Sequence, residues 1–207
     1  MIYEIRTYNL KPGNVPEYEK RLADAVEVRS KYSQLYGVWH TEIGPLNQMV
    51  HIWAYESLQE RADLRAAASK DPSGKWPPNV SDLLLSQESD ILTPIKGMNH
   101  HTGVQELGNL YELRMYTYAS GATPGVAETF AASYPARYDV YPVGGIWTSE
   151  LGNLNRLYQL FPYQDWAHRD VVRGELREKH LWPPHSEARP VVQLVRHMVP
   201  ASFSPLR

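Results

Sequence analysis

Gly37-Val38-Trp39-His40-Thr41-Glu42-Ile43-Gly44-Pro45-Leu46-Asn47-Gln48 returns 108 residues later as Gly145-Ile146-Trp147-Thr148-Ser149-Glu150-Leu151-Gly152-Asn153-Leu154-Asn155-Arg156. Six of the twelve positions are identical: Gly, Trp, Glu, Gly, Leu and Asn. The same offset carries Tyr3-Glu4-Ile5-Arg6-Thr7-Tyr8 onto Tyr111-Glu112-Leu113-Arg114-Met115-Tyr116. It continues through Tyr55/Tyr163, Arg61/Arg169 and Arg65/Arg173, then slips by two. After the slip, Trp76-Pro77-Pro78 matches Trp182-Pro183-Pro184, Gln87 matches Gln193 and Pro94 matches Pro200. A single offset shared by separated blocks is the mark of an internal duplication. The chain divides accordingly into a first repeat (1–94), a linker (95–109) and a second repeat (110–200).

Each repeat can be read once and checked against its twin. Residues 2–9 and 110–118 alternate as half-buried strands do. Val15, Tyr18, Leu22 and Val26 fall three or four apart, which predicts an amphipathic helix after the Pro12-Gly13 turn. Val126, Phe130 and Tyr134 repeat that spacing, although Pro135 is expected to kink or shorten the second helix. Strands over 37–43 and 50–55 flank the turn Gly44-Pro45-Leu46-Asn47. A helix follows from about Leu58, with Ser57 and Glu60 spaced as a capping box. Lys70 to Asn79, rich in Pro, is expected to be irregular, and last strands run through 84–93 and 191–199. Each repeat thus reads β-α-β-β-α-β, the ferredoxin-like split pattern of an α+β fold.

A four-stranded sheet with helices on one face leaves its other face bare, and a duplicated chain carries two such faces. The expected architecture is two sheets packed together, or closed as an eight-stranded barrel, within one polypeptide. The enclosed space is then the natural place for a ligand.

Composition narrows the function. A net charge of −2 gives no field to attract nucleic acid. No apolar run is long enough to span a bilayer, so membrane insertion is not expected. The opening MIYEIRTYNL alternates like a strand and lacks the basic start and apolar run of a secretory leader. With zero cysteines, thiolate chemistry, disulfides and cysteine-ligated clusters are excluded, and a cytoplasmic setting is expected. The eight histidines show no metal-ligand spacing: His100-His101 are adjacent and His180/His185 straddle a Trp-Pro-Pro break. No metal and no cofactor are expected, and there is no Gly-x-Gly-x-x-Gly, Walker loop or Gly-x-Ser-x-Gly elbow.

The candidate ligand-binding residues are Glu4, Arg6 and Tyr8, which share one strand face, with their twins Glu112, Arg114 and Tyr116. His40 and Glu42 share a face on the next strand, echoed by Thr148 and Glu150. These faces are expected to look into the barrel, where they can bind a polar small molecule, with His40 as a proton carrier. The competing reading is a paired charge network, because an unpaired buried charge costs several kcal/mol. Arg61/Arg65 and Arg169/Arg173, each four apart on a helix, either cradle an anion or pair with carboxylates such as Glu42 and Glu150. Trp39/Trp147 and Trp53/Phe161 read as core.

The Tyr-Glu-Ile-Arg-Thr-Tyr stretch, the Trp-x-x-Glu-x-Gly-x-Leu-Asn block (39–47 and 147–155) and His51-Ile52-Trp53-Ala54-Tyr55-Glu56-Ser57-Leu58-Gln59-Glu60-Arg61-Ala62 together resemble the NIPSNAP family. The resemblance spans both halves and implies a dimeric α+β barrel, here in tandem form. It brings no catalytic residue set. The first copy is the nearer match, since Thr148, Asn153 and Pro162 replace His40, Pro45 and Ala54. The expected function is NIPSNAP-like: binding a small polar or aromatic molecule, or a structural role, through the barrel interior. The alternative is a cofactor-independent enzyme, of oxygenase or isomerase type, acting in the lumen. Expected partners are a small-molecule ligand and further copies of the chain.

Overall fold

The computed structural model describes all 207 residues. The chain runs β1 (Ile2–Leu10), α1 (Val15–Ser30), β2 (Gln34–Ile43), β3 (Gln48–Tyr55), α2 (Leu58–Ala68) and β4 (Leu84–Pro94). It then repeats the order as β5 (Leu110–Thr117), α3 (Thr123–Val140), β6 (Gly145–Leu151), β7 (Arg156–Tyr163), α4 (Trp166–Glu178) and β8 (Val192–Pro200). Local chemistry sets the ends of several elements. The Ser57 hydroxyl accepts from the Glu60 N–H at 3.1 Å, and its twin Asp165 caps α4 through the His168 N–H at 2.8 Å. Asn47 and Asn155 close the two matched hairpins at φ of 56° and 59°, a left-handed conformation that Asn tolerates better than most residues.

All eight strands close into one antiparallel barrel in the order β1-β3-β2-β8-β5-β7-β6-β4. Each half supplies four adjacent strands, and the seams are β2–β8 and β4–β6. The expected tandem α+β barrel is therefore the observed one. Its lumen is filled by both halves at once: Tyr3, Ile5, Trp39, Val50 and Ile52 pack with Tyr111, Leu113, Trp147, Leu160 and Met198 in a single buried cluster. The repeated Gly-x-Trp motif belongs to this packing. A Cβ at Gly37 or Gly145 would stand 2.1 Å from the ring of Trp39 or Trp147, so each indole needs the bare glycine beneath it.

The helices cover the outside. Tyr18, Leu22 and Val26 of α1 pack on Tyr8, Val38, Met49 and Trp53, and Val126, Phe130 and Tyr134 of α3 pack on Leu157 and Phe161. Pro135 does not shorten α3, which at 18 residues exceeds the 16 of α1. Tyr134 and Arg137 are buried on either side of the proline, and tertiary packing of that kind overrides local propensity. No helix is long and apolar enough to cross a membrane.

One expectation about the barrel is corrected. Because Tyr3 and Ile5 point into the lumen, Glu4, Arg6 and Tyr8 point out, toward the helices, and the charged faces of the two halves do not meet. Along β1, β3, β5 and β7 both faces are largely buried, one by the opposite sheet and one by helices, whereas much of β4 and β8 is exposed. On the outer, helical side Arg61 and Arg65 of α2 stand over Glu4, and Arg169 and Arg173 of α4 over Glu112.

Candidate functional site

Glu4 is fully buried beneath α2. It accepts from Arg6 Nη1 at 2.7 Å, Arg61 Nη2 at 2.6 Å and Ser89 Oγ at 2.8 Å, with Arg65 Nη1 at 3.7 Å. Burial pushes its carboxyl up, but the Arg61 hydrogen bond and the charges of Arg6 and Arg65 outweigh that and bring its pKa down to about 2. The twin Glu112 is equally buried, and accepts from Arg114, from Arg169 Nε at 2.6 Å, from Arg173 Nη1 at 3.3 Å and from His197 Nε2 at 3.0 Å. Burial again opposes ionisation, and the His197 hydrogen bond with the Arg114 and Arg169 charges again brings the pKa down to about 2. The helical arginine pairs thus neutralise Glu4 and Glu112. Glu42 and Glu150, the partners expected from sequence, are exposed. Three arginines around one carboxylate leave surplus positive charge in each half.

Beside the first network a cleft of about 280 Å³ opens between the outer sheet face, α1, α2 and the Trp76-Pro77-Pro78 segment. Arg6, Tyr8, His51 and Arg65 form its polar wall, and Tyr18, Leu22 and Trp76 its apolar wall. Arg6 Nε donates to the Tyr8 hydroxyl at 2.7 Å, which holds the guanidinium at the cleft. His51 is 2% exposed, and its Nδ1 receives the Trp53 indole N–H at 2.7 Å. An indole can only donate, so Nδ1 is the bare nitrogen and Nε2 carries the proton. Burial, with Arg6 nearby, pulls the His51 pKa down to about 3 and keeps the ring neutral. Its Nε2–H is buried and has no partner.

The second half builds the same cleft more tightly. Arg114, Tyr116, Gln159 and Trp182 occupy the matched positions, but Phe130 replaces Leu22 and packs edge-on to Trp182 at 5.0 Å. The space shrinks to about 140 Å³. Gln159, the twin of His51, is 1% exposed and its amide nitrogen is also unpartnered. A wider hollow of about 860 Å³ at Arg21 and Asp82 is polar and surface-open, and its arginine is already bound to Glu17 and Asp82.

Of the residues singled out in the sequence, Arg6 and Tyr8 line the first cleft and Arg114 and Tyr116 the second, while Glu4 and Glu112 lie buried behind Arg6 and Arg114 and do not line them. His40 lies elsewhere on the outer surface: Glu19 of α1 meets its Nδ1 at 2.7 Å, and this hydrogen bond raises its pKa. His100 and His101 turn to different partners, Tyr3 with Gln34 and the Val143 carbonyl, and no three His, Asp or Glu side chains group as a metal site would need. Sequence reading missed His51 and Gln159. The available signal was a polar residue inside an otherwise apolar strand, at the same place in both copies.

The fold and its paired outer clefts define a ferredoxin-like α+β barrel closed within one chain. The NIPSNAP family model matches residues 3–97 and 111–205, both repeats, so the chain belongs to the NIPSNAP family. Human Protein NipSnap homolog 3B is 29% identical over 222 residues, covering 99% of this chain and 85% of its own. An uncharacterized NIPSNAP domain protein of known structure from Burkholderia xenovorans is 34% identical, covering 47% of this chain and 97% of its own, with a TM-score of 0.44. A putative monooxygenase from Lactobacillus acidophilus is only 12% identical but covers 97% of this chain and 94% of its own with a TM-score of 0.68, a likeness of fold. Family membership accounts for the repeat and the barrel and assigns no reaction.

Proposed function

We propose that this NIPSNAP protein binds a small organic anion, a carboxylate joined to an apolar or aromatic body, in the cleft of its first half. The single observation that carries the reading is the His51 Nε2–H, a buried donor without an acceptor. Leaving such a group unsatisfied costs about 1–3 kcal/mol, so the site is completed by an oxygen from outside the chain. Arg6 and Arg65 stand around it with more positive charge than Glu4 cancels, which selects an anionic oxygen. Trp76, Tyr18 and Leu22 receive the apolar part. At about 280 Å³ the cleft sits at the lower edge of ordinary ligand pockets, so the ligand is compact. Packed side chains of both halves occupy the barrel interior, and this reading places the ligand outside it. The same reading takes the chain as cytoplasmic, because a fold without cysteine needs no oxidising compartment.

Calorimetry of the intact chain with phenylacetate tests this. One molecule should bind per chain, and Arg65→Gln should weaken it about tenfold, as losing one charge-assisted hydrogen bond does. His51→Leu, which removes the donor, should weaken it at least as much. No binding by the unaltered protein, or binding indifferent to both substitutions, contradicts the proposal.

A further inference from the structure

Arg137, on α3, is 1% exposed, yet no carboxylate touches it. Its Nη1 donates to the Tyr141 carbonyl at 2.6 Å and its guanidinium lies 4.9 Å from the centre of the Phe161 ring. Nε and Nη2 are buried without a hydrogen-bond partner. Burial holds the Arg137 pKa below the usual arginine value, and Tyr163, standing beside the guanidinium, opposes that shift without meeting hydrogen-bond geometry. The twin position shows what a satisfied version looks like. Arg29 donates to Ser33 Oγ at 2.5 Å and to Tyr55 Oη at 2.9 Å, and lies 5.0 and 5.6 Å from the rings of Trp53 and Trp76. In the second half Tyr141 stands where Ser33 does and Phe161 where Trp53 does, while Tyr163 keeps the place of Tyr55 beside the guanidinium without closing a hydrogen bond to Nε or Nη2.

The free donors lie on one edge of the guanidinium, the Nε–Nη2 edge, whose parallel N–H bonds take two oxygens of one anion. Arg137 lines a small cavity of about 50 Å³ together with Arg114, Arg173 and Arg177. That space suits one small ion rather than an organic molecule. Four arginines are among its lining residues, and the one carboxylate touching any of them is Glu112, bound by Arg114 and Arg173. A single carboxylate ligand would leave most of that charge unmatched, whereas a dianion with oxygens in several directions matches it. We infer that the second half holds a phosphate group at Arg137, Arg114, Arg173 and Arg177, either free phosphate or the terminus of a small phosphorylated molecule. The neighbouring hollow of about 140 Å³ shares Arg114, Trp182 and Pro183 with this cavity and offers the route for an attached organic part.

This inference is independent of the first cleft, and calorimetry on the intact chain at constant ionic strength tests it. Inorganic phosphate should bind one per chain, and exposed Arg177→Gln should weaken it about tenfold, the loss of one charged hydrogen bond. Arg137→Met should abolish binding. If that variant does not fold, Arg177→Gln and Arg173→Gln decide. Phenyl phosphate binding at least tenfold tighter than phosphate identifies a phosphorylated molecule as the ligand, and equal affinities identify free phosphate. No saturable binding, or binding unchanged in Arg177→Gln and Arg173→Gln, overturns the inference. So does phosphate affinity that falls in Arg65→Gln instead, which would place the anion in the first cleft.

Discussion

The two halves of this chain share a backbone plan and a buried carboxylate, and differ in what surrounds their clefts. Glu4 and Glu112 each sit at zero exposure under a pair of helical arginines. Around them the wall changes: His51 becomes Gln159, Leu22 becomes Phe130, and the partner of the buried arginine changes from Ser33 to Tyr141. The unchanged part ties each second helix to its sheet. The changed part decides what each cleft can hold. A shared backbone plan thus carries two different cleft walls.

The buried carboxylates are the element both halves share. Glu4→Gln or Glu112→Gln leaves buried arginines facing one another and should each cost about 3–5 kcal/mol in denaturant unfolding, as broken buried pairs do. Glu112 also holds His197, so Glu112→Gln is expected to be the more damaging. Equal, sub-kilocalorie effects would show that the carboxylates are not the ties described here. The same groups set the acid limit. Their folded pKa values of about 2 lie below the usual carboxylate value, so their contribution is present above that value and is lost as pH falls toward 2. His51 adds to this trend, since its pKa of about 3 in the fold makes acidification below the usual histidine value unfavourable. Unfolding free energy measured against pH should therefore fall steeply on the acid side, and less steeply in either Glu→Gln variant.

The smallest expected effect marks a contact that only one half possesses. His40 is raised by Glu19, so its contribution is present below the usual histidine value and disappears as pH rises through its folded pKa. Replacing it by its twin, His40→Thr, should cost under about 1 kcal/mol at pH 6, the range of partly exposed ion pairs. The difference should vanish in mildly alkaline solution. A loss that persists there would assign His40 a packing role.

The duplication, the strand order within each repeat and the barrel were legible because they rest on local patterns. Gly37-x-Trp39 and its copy are a packing requirement visible as spacing, and Gly-x-Leu-Asn marks two hairpins. The direction of each face was not legible. In β1, Tyr3-Ile5-Thr7 and Glu4-Arg6-Tyr8 are both buried or nearly so, and alternation reports two faces without saying which is covered by helices. Arg61 and Arg65 held the missing clue. They recur at the same offset as Glu4, which ties that carboxylate to the helical side. The cleft itself was hidden because its deciding residue, His51, lies in a strand buried along its whole length, where a polar side chain shows its purpose only once its neighbours are known.

The proposed ligand site lies outside the barrel, under the helices. A crystal structure of the protein with phenylacetate tests it most directly. Density beneath Trp76, with a carboxylate oxygen in hydrogen-bond reach of His51 Nε2, is the predicted result. Density between Trp39 and Trp147 inside the barrel, or an empty first cleft at saturating phenylacetate, would contradict it.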